Sequence, residues 1–245
     1  MTASPTTSGA SPSSFRPFSE VAYSRPLARP PTAAARAHST WGIPRTGEEC
    51  ERVLLAAITS TMTLELVAYL AGFLGASSQV WTASRRHRLR NLLARYGTAV
   101  VPIVLAAVAR APREEVVDET VDVLILAAAA DARVVEQLST RLLEPHMSGS
   151  EDALAEQPSA RATIARALGR LHARGATRAQ RLSALAVALE DVAPEVRDAA
   201  IEALASSSLA DRSIAMRLLE QHSHHEPEEF LLEAISDSLV ELRGK

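Results

Sequence analysis

The stretch DVAPEVRDAAIEAL, residues 191–204, decides how this chain reads. Pro194 suits the first turn of a helix, where its missing N–H costs nothing. Asp191 stands just ahead, where a side-chain oxygen can cap free backbone amides. Val196, Ala200, Ala203 and Leu204 then recur at helical spacing as one apolar stripe. The residues on it are small, which lets two helices approach closely. The wording also repeats. Pro158, Arg161, Ala167 and Leu168 precede Pro194, Arg197, Ala203 and Leu204 by 36 residues each. A weaker copy opens at Pro227, where Leu231, Ile235 and Leu239 follow Val196, Ala200 and Leu204 by 35. A period of this length marks a repeat array, in which each unit buries its apolar face on its neighbours.

The pattern Asp191, Pro194, Val196, Arg197, Ala200, Ala203, Leu204 resembles a HEAT repeat of the short bacterial, phycobilisome-lyase-like kind. The resemblance is good in that repeat, fair over 158–171 and degenerate over 227–239, about a third of the chain. It implies an α-solenoid of stacked antiparallel helix pairs. It also implies that Asp191 and Arg197 pair with neighbouring repeats and are structural rather than catalytic. Leu232 stands where the third copy should carry its Arg, so such a ladder would end there. A terminal repeat is expected to be atypical.

Composition supports helices. Apolar residues make up 47% of the 245 and aromatics only 4%, so the core must be built from Ala, Leu and Val. The net charge of −3 conceals a division. Residues 1–47 hold five Arg against one Glu, +4, and the remainder holds 21 basic against 28 acidic residues, −7. The single cysteine, Cys50, excludes an internal disulfide and a cysteine-based metal cage. Uninterrupted apolar runs such as 66–76 reach about eleven residues, whereas a membrane helix needs roughly twenty. The expectation is a soluble protein without membrane insertion.

Residues 1–47 are rich in Pro, Ser, Thr and Ala and have no apolar period, so they read as a disordered tail. They lack the apolar core of a secretory signal. As an Arg- and Ser-bearing, acid-poor segment, the tail reads as a linker, an organellar transit peptide or a bacterial type III secretion signal. It also reads as a strap anchored by Phe15, Phe18, Tyr23 and Trp41. A cytoplasmic location is expected, with organelle import or secretion through the tail as alternatives. From 48 to 245 the pattern is helical throughout. Eleven helices are expected, over 48–60, 63–75, 78–96, 98–109, 113–130, 131–143, 158–173, 177–190, 194–206, 209–222 and 227–242. Residues 145–157 form the longest interior loop and a candidate break between two halves.

The loudest chemistry is the basic run Arg85, Arg86, His87, Arg88, Leu89, Arg90, with Arg95 beyond it. On a helix, Trp81, Arg85, Arg88 and Arg95 share a side. Such a face can neutralise a phosphate backbone and release its counterions. HEAT-like alkylpurine DNA glycosylases use a concave face this way, although their catalytic Asp with flanking Trp residues has no match here. The plainer reading pairs these arginines with acids on a neighbouring helix. His222, His224, His225 and Glu226 form a second cluster. It lies at a helix end, where histidine complements the dipole, and no further ligand group is spaced to complete a metal site. Cys50, among Glu48, Glu49 and Glu51, is a poor nucleophile. Phosphate-binding glycine loops, HExxH and G-x-S-x-G are absent.

The sequence therefore reads as a non-catalytic scaffold or adaptor of about five HEAT-like repeats that binds a protein partner and takes no cofactor or metal. The rival is a nucleic-acid-binding or DNA-repair protein working through Trp81, Arg85, Arg86, Arg88, Arg90 and Arg95. Weaker readings are a lyase- or chaperone-like helper for a prosthetic group, a secreted effector, or a subunit of an organellar complex.

Overall fold

Local chemistry sets where each helix begins. Thr46 and Glu49 form a reciprocal capping box: Thr46 Oγ1 accepts from Glu49 N at 3.2 Å, and Glu49 Oε2 accepts from Thr46 N at 3.1 Å. They open α1, Gly47–Thr59. Thr63 Oγ1 accepts from Leu66 N at 3.3 Å and caps α2, Leu64–Ala71. α3 spans Ala83–Ala94. Gly97, at φ +51°, breaks the chain into a short 3-10 turn, Gly97–Ala99, before α4, Val100–Arg110. α5 is Glu114–Ala130 and α6 is Arg133–Leu143. Pro158 and Pro194 stand in the first turns of α7, Pro158–Arg170, and α9, Pro194–Ala205. α8 is Gly175–Leu189, α10 is Arg212–Ser223, and α11 is Glu229–Gly244.

The structure, a computed structural model, describes residues 44, 46–59, 63–76, 79–143, 157–171 and 175–244. The readings placed on Phe15, Phe18, Tyr23 and Trp41, and most of the loop 145–157, lie outside the described residues. Within them the regular structure is all-helical, with eleven α-helices, the 3-10 turn and no strand.

The odd-numbered helices touch in succession: α1 packs on α3, α3 on α5, α5 on α7, α7 on α9 and α9 on α11. Among the even-numbered ones, α2 packs on α4 and α6 on α8. The most extensive contact is between α7 and α9, the two best copies of the repeated wording. Its closeness depends on small residues. A Cβ built on Gly169 of α7 would lie 2.5 Å from Ala203 Cβ and 2.6 Å from Ala203 Cα on α9. Ala160, Ala167, Ala200 and Ala203 are buried beside them. One apolar cluster runs from Cys50 in α1 to Leu242 in α11, and helices on both sides of 145–157 belong to it.

Several boundaries, and one cap, differ from expectation. α3 begins at Ala83 rather than 78, because Trp81 is buried in the preceding turn, stacked on Phe73 at 5.1 Å. α2 stops at Ala71, where Gly72 begins a turn that reaches Gly75 at φ +69°. The helix expected from 209 starts at Arg212. Asp191 does not cap α9 itself: its Oδ1 accepts from Ala193 N, the residue before the helix, at 2.9 Å.

No single described helix is long and apolar enough to cross a membrane. α3 and the segment Gly97–Arg110 pass that test only as a pair bent by 108°, and their Leu89, Leu93, Val100, Val104 and Leu105 are buried in the protein's own core.

Candidate functional site

Charged side chains lie between the stacked helices rather than across one exposed face. Arg161 of α7 donates through two nitrogens to Asp191, at 2.9 and 2.7 Å. Arg197 of α9 does the same to Glu226 before α11, at 2.8 and 2.9 Å. Arg181 of α8 is buried and donates to Asp211 before α10, and to Leu168 O at 3.1 Å. The three pairs span 30, 29 and 30 residues; Arg161–Asp191 and Arg197–Glu226 stand one repeat apart, while Arg181–Asp211 is a separate contact made from α8. Arg–carboxylate forks of this kind are short and directional. Asp191 and Arg197, expected from the resemblance to pair with neighbouring repeats, make those contacts.

The basic helix α3 is used in the same manner. Arg85 Nε donates to Glu51 Oε1 at 3.0 Å, and Arg88 donates to the same oxygen at 2.8 Å, which ties α3 to α1. On the opposite side Arg86 donates to Glu119 at 3.0 Å and Arg90 pairs with Asp122, which ties α3 to α5. Arg85 and Arg86 also hold the preceding turn through the carbonyls of Val80 and Trp81, at 2.9 and 2.8 Å. Arg95 is exposed. The cleft between α3 and α5, about 510 Å³, is lined by Arg86 and Arg90 together with Glu115, Asp118, Glu119 and Asp122, so acids outnumber bases there. Trp81 is 2% exposed, which leaves its ring no open face for a base. The expected side shared by Trp81, Arg85, Arg88 and Arg95 is therefore divided: the tryptophan enters the core and the first two arginines face α1.

A second constellation joins the α8–α9 turn to the end of α10. His222, in the last turn of α10, is 3% exposed. Its Nε2 lies 2.7 Å from Glu226 Oε2, and its Nδ1 lies 3.1 Å from Glu190 Oε1. His225 Nε2 approaches the same Glu190 oxygen at 2.9 Å. The two imidazoles meet edge to face with centroids 5.1 Å apart. Glu226 has a fully buried side chain and also accepts from Arg197 and from Glu228 N. Burial pushes the Glu226 pKa up, but the hydrogen bonds from Arg197, Glu228 N and His222 outweigh it and hold the carboxyl below its ordinary value. The hydrogen bond from His225 likewise holds Glu190 low.

Glu190 corrects the sequence reading, in which no further ligand group completed this cluster. Cys50 is buried, and burial raises its thiol pKa. Its poor nucleophilicity thus has a second cause besides its acidic neighbours.

An open groove of about 400 Å³ lies between α2 and α4. Ala68, Ala71, Ala106 and Ala107, with Ile103 and Pro102, form its apolar walls. Arg110 and Arg113, both exposed, stand at its end.

Fold and site together define a class: an all-helical protein whose alternate helices are joined by ion pairs, those of Arg161, Arg181 and Arg197 being the most buried. Comparison of the chain with known protein families finds no match, and no curated protein is detectably similar.

Proposed function

We propose that this chain is a non-catalytic scaffold, an α-solenoid of HEAT-like helix pairs that presents the groove between α2 and α4 to a protein partner. The observation that carries the reading is the placement of charge. Arg85, Arg86, Arg88, Arg90, Arg161, Arg181 and Arg197 point into contacts with the protein's own acids, and the Arg161–Asp191 pair returns one repeat on as Arg197–Glu226. Side chains arranged this way hold helices in register. What they leave open is the alanine-walled groove between α2 and α4, with Arg110 and Arg113 at its mouth. An apolar segment of a partner protein flanked by Asp or Glu matches both features, the methyl-lined wall and the two cations.

The nucleic-acid reading has less support. A phosphate backbone along α3 would have to displace Glu51, Glu119 and Asp122 from Arg85, Arg86, Arg88 and Arg90.

Panning a displayed-peptide library against the full chain tests the proposal. Enriched peptides are expected to carry an apolar centre with acidic flanks, and Ile103→Asp is expected to abolish their binding at unchanged helicity. A library that enriches nothing, or peptides that bind the Ile103→Asp protein equally well, would rule the groove out. Tight duplex binding whose salt dependence flattens in Arg85→Ala with Arg88→Ala would put the rival first.

A further inference from the structure

We infer that Glu190, His222 and His225 form a binding site for a divalent metal ion of the zinc class. One ligand atom from each of the three lies within 4.8 Å of the others, and the Glu190 oxygen is 3.1 and 2.9 Å from the two imidazole nitrogens. Ligand atoms at about 2.0–2.1 Å from a tetrahedral zinc stand about 3.3–3.4 Å apart. Two of the three separations are therefore already near the spacing a metal imposes, and the third is within 4.8 Å. The side chains that must adjust, Glu190 and His225, are more than half exposed.

The hydrogen bonds of His222 point the same way. A neutral imidazole has one N–H. His222 faces a carboxylate with each of its nitrogens. With Nε2 donating to Glu226, the Nδ1 lone pair is directed toward the Glu190 oxygen at 3.1 Å, where a shared cation would sit. Glu226 meanwhile serves the role that a buried carboxylate has beside many metal-binding histidines. It accepts the remote N–H, fixes the ring and selects the tautomer that offers Nδ1. Arg197 fixes Glu226 in turn through two hydrogen bonds.

Two imidazoles and one carboxylate suit zinc, cobalt and nickel better than calcium or magnesium, which favour oxygen ligands. The ion would have three protein ligands. Its remaining position would face solvent on the side of Glu190 and His225. Because Glu190 lies in the turn between α8 and α9 while His222 ends α10 and His225 lies in the turn after it, the metal would staple two successive helix pairs. The site does not depend on the scaffold reading, since its geometry is the same whatever binds elsewhere.

Calorimetric titration of the untagged full chain with Zn²⁺ tests the site, with Co²⁺ as a spectroscopic substitute. One Zn²⁺ per chain is expected, with visible Co²⁺ bands of low-symmetry, four-coordinate intensity. His225→Ala and Glu190→Gln should each weaken binding by at least about tenfold. His224→Ala, which removes an exposed neighbour outside the cluster, should change nothing. Saturating Zn²⁺ should raise the melting temperature of the parent and not of His225→Ala. Absence of binding overturns the inference. So does a loss of affinity in His224→Ala equal to that in His225→Ala, which would show a surface histidine patch, or full affinity in Glu190→Gln.

Discussion

Replacing Gly169 with alanine tests the closest helix contact in the protein by adding one methyl group. The new Cβ would meet Ala203 Cβ at 2.5 Å, Ala203 Cα at 2.6 Å and Ala203 O at 3.2 Å. Two of those three atoms are main chain, so no side-chain rotation relieves the overlap, and α7 and α9 must separate by about an ångström. Overfilling a well-packed interface costs about 1–3 kcal/mol, and obstruction by backbone places this case at the upper end. A gap of that width also forfeits a quarter to a half of the dispersion energy along the seam. Against this, alanine is about 1 kcal/mol better than glycine inside a helix. The net expectation is a loss of about 2 kcal/mol. For a chain of this size that is a fall in melting temperature of roughly 4–8 °C. Circular dichroism at 222 nm during heating measures it, and urea titration gives the free energy independently. An unchanged or raised melting temperature would refute the reasoning. It would mean that propensity prevails and that Gly169 and Ala203 do not touch.

The other expectations concern charge. Asp211→Asn should cost about 3–5 kcal/mol, measured by urea unfolding, because it strands Arg181, which is 2% exposed and shares that carboxylate with Arg178. Arg161→Met and Asp191→Asn should each destabilise alone, while the double variant recovers at least about 1 kcal/mol of the summed loss, a coupling read from a double-mutant cycle. Acid stability should depend on Glu51, whose pKa is lowered chiefly by its hydrogen bond from Arg85. A depressed folded-state pKa contributes stability that is complete above the unfolded value of about 4.3 and vanishes as pH falls through the folded value. Melting temperature should therefore drop below about pH 4.3, and less steeply in Glu51→Gln, whereas parallel profiles would contradict the assignment.

How far the sequence reveals this structure depends on the kind of signal. Helix type and order are legible because they are local. Pro158 and Pro194 mark first turns, Gly97 marks a break, and the alanine stripe announces a close contact that Gly169 and Ala203 then make. Trp81 misleads because helical spacing places it beside Arg85 and Arg88, while its large apolar ring is better buried against Phe73 than kept in water. The arginines of α3 look like a surface for an anion because their partners Glu51, Glu119 and Asp122 are more than thirty residues away. A window of one or two turns sees the cations and not the carboxylates. Glu190 is hidden from the histidine cluster by the same distance.

The stacking surfaces explain why so many charges are built into the interior. Ala160, Ala167, Ala200 and Ala203 present nearly identical bumps, so sliding α9 by one turn along α7 would exchange one alanine contact for another at little apolar cost. Apolar matching alone leaves the register of such helices weakly determined. The ion pairs remove that degeneracy. In a slipped arrangement Arg161 would lose Asp191 and Arg197 would lose Glu226, leaving unpaired charges away from water. Paired correctly, a buried ion pair adds little net stability over an apolar substitute; broken, it costs about 3–5 kcal/mol. The asymmetry penalises the wrong register far more than it rewards the right one. It also accounts for the return of the pair one repeat on, where Arg197 and Glu226 hold α9 to the start of α11 as Arg161 and Asp191 hold α7 to the start of α9.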